Sequence, residues 1–288
     1  MAYTIGHSSC AYEGDEIMAK CLTLNTHSWM EVNALKKLVD LAEHIMAEKY
    51  DIICLQEINQ LIESEVASEL FNYQQVPGTP SIHKDNFALL LVNYLRKHGH
   101  DYFWSWAYNH IGYGIYNEGV AILSKEPLKV SDVLISKADD ETDFHTRRAL
   151  VGKTKLDGRE VTVVSLHMSW YGKGFEREWK TLESHLLKSV DGPLMLMGDF
   201  NNPTDLEGYQ IIASSPLGLQ DSHKVAQFVF GDHSIMQDID GWEGNQHAYK
   251  VDHIFTSQDF EISSSEITFE GGYAPIVSDH FGLEITIR

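Results

Sequence analysis

Leu194-Met195-Leu196-Met197-Gly198-Asp199-Phe200-Asn201-Asn202-Pro203 starts as an apolar run long enough for one buried strand and breaks at Gly198. It then sets an acid and an amide two positions apart, and a proline ends it. In extended chain, residues i and i+2 point the same way, so Asp199 and Asn201 are expected to face one reacting group. An oxygen-rich pair at a strand end suits phosphate chemistry with a hard cation. A plain strand running into an Asp/Asn/Pro turn has the same spelling. The company the segment keeps decides between them.

Outward from this stretch, apolar strand patterns recur at Ala19–Asn25, 51–57, 102–108, 119–124, 128–135, 149–156, 160–167, 250–256 and Gly282–Ile287. Apolar residues spaced by three and four predict helices over 32–46, 87–98 and 175–190, with a shorter one near 206–214. Asp157-Gly158 reads as a hairpin turn. Strands outnumber helices, and hairpins mix with crossovers of the βαβ kind. The expected fold is therefore α/β, a pair of mixed sheets flanked by helices. No repeat or Pro/Gly-rich linker divides the chain, so 18–288 is expected to be one domain, with 1–17 as a polar N-terminal extension.

The 42 acids outnumber the 22 Lys and Arg, for a formal charge of −20, a field that repels polyanions at long range. Binding of nucleic acid without regard to sequence is disfavoured on this ground, although a local cationic cleft can still take a phosphate. Three cysteines, Cys10, Cys21 and Cys54, lack metal-ligand spacing and suggest no disulfide framework. No export signal and no run long enough to cross a bilayer is visible, so the expected location is the cytoplasm, with no membrane partner.

Several strands end in groups with phosphate or metal chemistry. Asn25 closes the first, Glu57 the second and His167 the strand before the quoted one, and Lys250-Val251-Asp252-His253 supplies an acid in the next. Ser278-Asp279-His280 precedes the last strand. Singly, each has a plain reading: Asn25 a turn, Glu57 a solvated strand end, His167 a satisfied core histidine. Ordinary sheets do not end this often in so restricted a set. Together, Glu57 reads as a metal ligand with Asn25 and Asp279 as neighbours. Oxygen donors without a cysteine set favour Mg²⁺ or Mn²⁺. His280, oriented by Asp252, is a base or a donor to the phosphoryl oxygen, and Asp199 orients or deprotonates the attacking water. Asn201 would hold that water or a phosphoryl oxygen, and His167 would donate to the phosphoryl or leaving oxygen.

In order and spelling, Leu-Asn25-Thr, Gln-Glu57, Leu-His167, Gly-Asp199-Phe-Asn201, Val-Asp252-His253-Ile and Ser-Asp279-His280 resemble the signature of the endonuclease/exonuclease/phosphatase superfamily. The resemblance spans about residues 20–288. It implies a four-layer α/β/β/α sandwich with Mg²⁺ or Mn²⁺ at the end of the sheets. The segments 24–29, 118–124, 145–148 and 167–172 look like a bacterial sugar-phosphate phosphatase branch that includes the maltose 6′-phosphate phosphatases. That likeness implies a small phosphorylated sugar as substrate.

Trp29, Trp170 and Tyr171 directly follow the Asn25 and His167 segments and could stack on a sugar ring or on a nucleobase. Arg147 and Arg148 offer guanidinium forks for a terminal phosphate. On a strand they point to opposite faces, so one of the two is expected to reach the site. Lys173 and Arg177 are further candidates at the start of a helix. The expected activity is a metal-dependent phosphomonoesterase. An exonuclease III-type nuclease and a non-catalytic binding module on the same fold are the alternatives. A nuclease calls for a basic strip along several phosphates, and none is visible.

Overall fold

The computed structural model describes residues 18–288; the expected N-terminal extension, with Cys10, lies outside the described residues. In chain order the elements are β1 (Ala19–Asn25), α1 (Ala34–Glu48), β2 (Ile52–Leu61), α2 (Phe87–Lys97), β3 (Phe103–Gly112), β4 (Tyr116–Ser124), β5 (Lys129–Leu134), β6 (Arg148–Leu156) and β7 (Arg159–His167). They continue with α3 (Phe175–Ser189), β8 (Leu194–Asp199), α4 (Glu207–Ala213), β9 (Gln220–Asp221), α5 (Ser222–Val225), β10 (Phe228–Phe230), β11 (Asp252–Thr256), β12 (Ile262–Thr268) and β13 (Gly282–Ile287). One sheet runs β10-β12-β13-β1-β2-β4-β3 and the other β5-β6-β7-β8-β11-β9. Parallel pairs β1/β2 and β7/β8 sit among antiparallel neighbours, so both sheets are mixed.

The apolar strand runs are continuous because both of their faces are buried. In β1 and β2, Leu22, Leu24, Ile53 and Leu55 pack outward against Leu38, Leu41 and Ile45 of α1 and Leu91 and Leu95 of α2. Their alternates Cys21, Ile52 and Cys54 face inward and meet Val163, Met195, Met197 and Ile254 of the other sheet. Leu196 and Phe255 face out again, against Trp179, Leu182 and Leu186 of α3 and Tyr209 and Ile212 of α4. Helices, sheet, sheet and helices thus form four layers. Each strand alternates between the middle layer and an outer one.

At one end of the middle layer the filling turns polar. Thr23 Oγ1 donates to Gln56 Oε1 at 3.4 Å, and Gln56 Nε2 to Ser165 Oγ at 3.4 Å. The parallel pairs place the C-terminal ends of β1, β2, β7 and β8 just beyond this layer. Gly198, one residue before the end of β8, makes the approach of β7 possible: a Cβ there would stand 2.0 Å from the Leu166 carbonyl oxygen. Gly198→Ala must push β7 and β8 apart. Its expected cost is about 3 kcal/mol or more of stability, read as a lower denaturant midpoint. An unchanged midpoint would contradict the packing described here.

The expected helices are present within a few residues. The short elements β9, α5 and β10 carried no signal in the sequence, and two longer strands differ in kind. β12 escapes a periodicity reading because Ile262-Ser263-Ser264-Ser265-Glu266-Ile267-Thr268 is mostly polar, and its pairing with β13 is what buries it. β2 runs four residues past Glu57, through a register shift against β4 between Leu55 and Ile58.

Candidate active site

Sheet register sets three of the groups side by side. Asp199 at the end of β8 pairs with His167 on β7 and with Asp252 on β11. Strands lie about 4.8 Å apart, so three polar side chains at one level of the sheet share a small volume. His167 Nε2 lies 3.5 Å from Asp199 Oδ2. From the opposite sheet, Asn25 Nδ2 donates to Asp199 Oδ2 at 3.2 Å and to Glu57 Oε1 at 2.9 Å.

His280, two residues before β13, donates from Nδ1 to Asp252 Oδ2 at 2.8 Å and turns Nε2 toward Asp199 Oδ2 at 3.8 Å. Burial opposes charge on the His280 ring. The Asp252 and Asp199 carboxylates outweigh it and push the pKa up to about 10. Asp199 is displaced upward by burial and by Asp252, against the pull of His280. His167 is driven down, first by burial and then by Arg147 and His280, and is a neutral ring.

Local backbone geometry aims these groups. Strand alternation would turn Glu57 to the helix side with Leu55. Instead, Glu57 adopts φ 53° at the β2 bulge, which breaks the alternation. Its Oε2 is buried without a partner, and burial together with Glu118 and Asp279 raises its pKa despite His27 and Asn25. Asn201 departs from the extended geometry expected of it, with φ 51°. Its backbone N–H closes a turn on Asp199 Oδ1 at 2.8 Å, its Nδ2 donates to Met168 O at 2.9 Å, and its Oδ1 accepts from Trp242 Nε1 at 3.0 Å. Asn201 thus ties the turn to its surroundings, and its amide is already engaged where a water-holding role was expected.

These groups line a cavity of about 650 Å³ whose walls include Glu57, Arg147, His167, Asp199, Asn201 and His280. Arg147 is 4% exposed, and its Nε and Nη1 have no partner. Of the two candidate forks, Arg148 is the one that does not reach the cavity: it points away and pairs with Asp132 at 3.0 Å and Asp139 at 2.8 Å. Strand alternation is the reason. Trp170 and Lys173 are on the cavity wall, but Tyr171 is not; it faces an adjoining cleft. Trp29 packs edge-on against Phe87 and donates to Asp85 O at 2.9 Å, in the helix layer away from the cavity. Arg177 is exposed on α3 and lies outside the cavity wall.

The Met168–Trp170 segment is held by Glu178, a buried acid of α3 that accepts from Ser169 N at 2.8 Å and Ser169 Oγ at 2.7 Å. Several wall residues carried no role in the sequence reading. His110 and Glu118 come from β3 and β4, Tyr113 from the hairpin between them, His145 from the loop before β6, and Asp240 from a Gly/Asp/Asn-rich loop whose Trp242 bonds Asn201. In sequence that loop looks like a plain connection. In space Asp240 accepts from the Tyr113 hydroxyl and lies 3.6 Å from His27 Nε2.

Among the described residues, two sets of three acid or histidine side chains bring their donor atoms within 4.8 Å of one another, Asp199 with Asp252 and His280, and Asp279 with His27 and Glu31; Glu57 belongs to neither set. Asp279 Oδ1 is 3.6 Å from His27 Nδ1, which in turn is 2.9 Å from Glu31 Oε1.

The model of the Endonuclease/Exonuclease/phosphatase family matches residues 30–280. The chain belongs to this family. An endonuclease/exonuclease/phosphatase family protein from Leptotrichia buccalis is 28% identical, with a TM-score of 0.81 over 94% of this chain and 99% of that one. A mannosyl-6-phosphatase from Bacteroides thetaiotaomicron has the same fold at 15% identity and TM-score 0.66, over 94% and 99%. D. rerio TDP2 complexed with a single-strand DNA product does so at 13% identity and TM-score 0.63, over 95% and 100%. No curated protein matches in sequence. The fold and family are those of phosphoester hydrolases, and no helix among the described residues is long and apolar enough to cross a membrane.

Proposed function

We propose that the protein is a divalent-metal-dependent phosphomonoesterase of the cytoplasm that releases inorganic phosphate from a small phosphorylated sugar. The observation that carries this reading is Arg147, a buried guanidinium on the cavity wall whose Nε and Nη1 have no partner among the described residues. A buried guanidinium with hydrogen-bond donors unmet is costly even with the Glu178 carboxylate nearby, and a terminal phosphate dianion supplies acceptors for its fork. The cavity is of small-ligand size. Asp240 and Glu243 on its wall disfavour a polyanion running out of it.

The donor set fits a hard divalent cation. Glu57 has a buried oxygen without a partner, and neighbouring carboxylates leave it short of positive charge. Glu57, Asn25 and Asp279 would hold Mg²⁺ or Mn²⁺, which when bound neutralises phosphoryl charge. Arg147 binds the terminal oxygens. Asp199 takes the proton from the attacking water. His280, already protonated at neutral pH, donates from Nε2 to a phosphoryl oxygen as charge builds there. Neutral His167 donates to the phosphoryl or leaving oxygen. A P–O bond forms to the water oxygen as its proton passes to Asp199, and the ester P–O bond breaks. The departing alkoxide takes a proton from solvent while Asp199 releases its own, and phosphate and a free hydroxyl leave.

A screen of sugar phosphates, phosphodiesters, plasmid DNA and abasic DNA with Mg²⁺ or Mn²⁺ tests the reading. The expected result is phosphate release from a sugar phosphate, abolished by EDTA and restored by excess metal. Faster cleavage of DNA, or full activity after thorough chelation, would overturn it. Arg147→Gln is expected to lower kcat/KM about a hundredfold on a monoester such as p-nitrophenyl phosphate, and far less on its bis-ester. Equal losses on both would remove Arg147 from the role of dianion fork.

A further inference from the structure

Asp252 and His253 are neighbours on β11, and strand alternation turns them to opposite faces. Asp252 meets His280 at the cavity end of the middle layer. His253 faces out, beneath α4, boxed by Phe200, Tyr209 and Phe255 at ring-centroid distances of 5.6, 5.4 and 5.4 Å. It is fully buried, yet both ring nitrogens are engaged. Nδ1 lies 2.7 Å from Lys250 Nζ, and Nε2 lies 3.0 Å from the carbonyl oxygen of Asn202. Lys250 is buried too, 3.9 Å from Asp221 Oδ1, and the Tyr209 hydroxyl donates to the other oxygen of that acid at 2.8 Å. None of them lines the phosphate cavity.

The partners fix the protons on the ring. A carbonyl oxygen only accepts, so Nε2 carries a hydrogen and donates to Asn202 O. An ammonium only donates, so Nδ1 is the bare acceptor of Lys250. Asp221 opposes the downward pull of burial on the lysine pKa, while burial followed by the Lys250 charge pushes His253 down to about 3 and keeps its ring neutral. The result is a directed chain of bonds, Lys250 to His253 to Asn202, that ends on the turn carrying Asp199.

Asn202 passes this hold on to the site. Its Oδ1 accepts from Tyr171 N and its Nδ2 donates to Ser169 O, both at 3.2 Å. Gly208 of α4 leaves room for it, since a Cβ there would stand 1.8 Å from Asn202 Oδ1. One residue earlier, Asn201 closes the turn on Asp199 and is held from the cavity side by Met168 O and Trp242. An attacking water tolerates little displacement of its base; a shift of about 1 Å can cost about a hundredfold in rate.

We infer that Lys250 and His253 are positioning residues of the active site, a relay that grips the 199–203 turn from behind and sets where the Asp199 carboxylate stands. Its effect on turnover rests on the phosphomonoesterase reading. Its grip on the turn does not, and the two are measured separately.

Two amide variants separate the ring nitrogens. In His253→Asn the amide stands where Nδ1 was, so it still accepts from Lys250 but falls short of Asn202. In His253→Gln the amide nitrogen stands where Nε2 was and still donates to Asn202 O. By hydrogen–deuterium exchange, the Asn201 amide is expected to exchange about tenfold faster, relative to the amides of β1, in His253→Asn than in wild type, and at the wild-type rate in His253→Gln. With Mg²⁺ and p-nitrophenyl phosphate, His253→Asn is expected to lower kcat about thirtyfold with KM changed less than about twofold, and His253→Gln to keep kcat within about threefold. A merely structural histidine gives the reverse order, because asparagine keeps the buried lysine partnered, and it speeds exchange of β1 as much as of Asn201. Equal kcat in the two variants, or an Asn201 amide unchanged relative to β1 in His253→Asn, overturns the relay. So does a long-range proton–nitrogen spectrum of the wild-type chain that places the His253 hydrogen on Nδ1. A wild type inert towards p-nitrophenyl phosphate and every sugar phosphate removes the phosphomonoesterase reading alone, and the exchange comparison then decides the relay.

Discussion

Asp199→Asn lowers turnover by roughly four orders of magnitude and leaves the fold intact. The substitution is nearly isosteric. The carbonyl oxygen of the new amide still accepts from the Asn201 backbone N–H, which sits 2.8 Å from Asp199 Oδ1, so the turn that aims the site is retained. Proton acceptance is lost, because an amide cannot take a proton from water at neutral pH. Stability moves the other way. In the metal-free chain, burial and Asp252 hold the Asp199 pKa above its unfolded value. The folded state therefore binds the proton more tightly, and stability falls as pH rises from the unfolded pKa through the folded one. Removing the charge relieves that loss. With chelator at neutral pH, the variant is expected to melt at the wild-type temperature or above it, with a shallower decline as pH increases. Near-normal turnover would sink the assignment of Asp199 as base. A collapse in melting temperature would instead mean that the carboxylate is structural.

Much of this arrangement was legible because strand periodicity and chemistry coincide in the sequence. Leu22, Cys21 and their alternates spell a strand buried on both faces, and the polar residues that end β1, β7 and β8 mark where the buried layer stops. The signature positions named there lie together in space at the same sheet end. What escaped the sequence was whatever depends on a single backbone angle or on a loop. The extended geometry assumed for Asn201 failed at φ 51°, and the bulge that turns Glu57 inward has no residue-type signal, since glutamate is not a left-handed former. Trp242 and Asp240 reach the site from more than 35 residues further along the chain than Asn201 and Asp199. No periodicity marks the loop that carries them. The arginine pair shows the converse: alternation alone separates Arg147 from Arg148, and the cavity takes the buried one.

Net charge misleads in a similar way. A chain at −20 repels anions at a distance, yet Arg147, Lys173 and protonated His280 all face one cavity. Over a few ångströms within a partly desolvated site, those groups outweigh a diffuse field that salt screens within about 8 Å. On the phosphomonoesterase reading proposed above, Asp240 and Glu243 at the same wall would act as a filter, tolerating a compact ligand with a single phosphate and opposing a strand with many.

Asp252→Asn is expected to reduce kcat about a thousandfold or more with little change in KM. Asp252 is fully buried, is not itself part of the cavity wall, and accepts at 2.8 Å from Nδ1 of the wall residue His280. Its charge also lifts the Asp199 carboxyl pKa, and the main route of its effect on the reaction is expected to run through the His280 ring. A neutral amide at this position removes the charge that keeps His280 protonated. If the amide nitrogen turns to face Nδ1, it also imposes the opposite tautomer. Either way Nε2 no longer presents a positively charged N–H to the phosphoryl oxygen, and the loss falls on the transition state, where that charge develops. A double-mutant cycle separates this from a merely structural effect. Groups acting as one unit are strongly non-additive, so Asp252→Asn combined with His280→Ala should be no slower than His280→Ala alone. If the two losses multiply, Asp252 acts by some route other than His280, and the dyad described here is not the working unit.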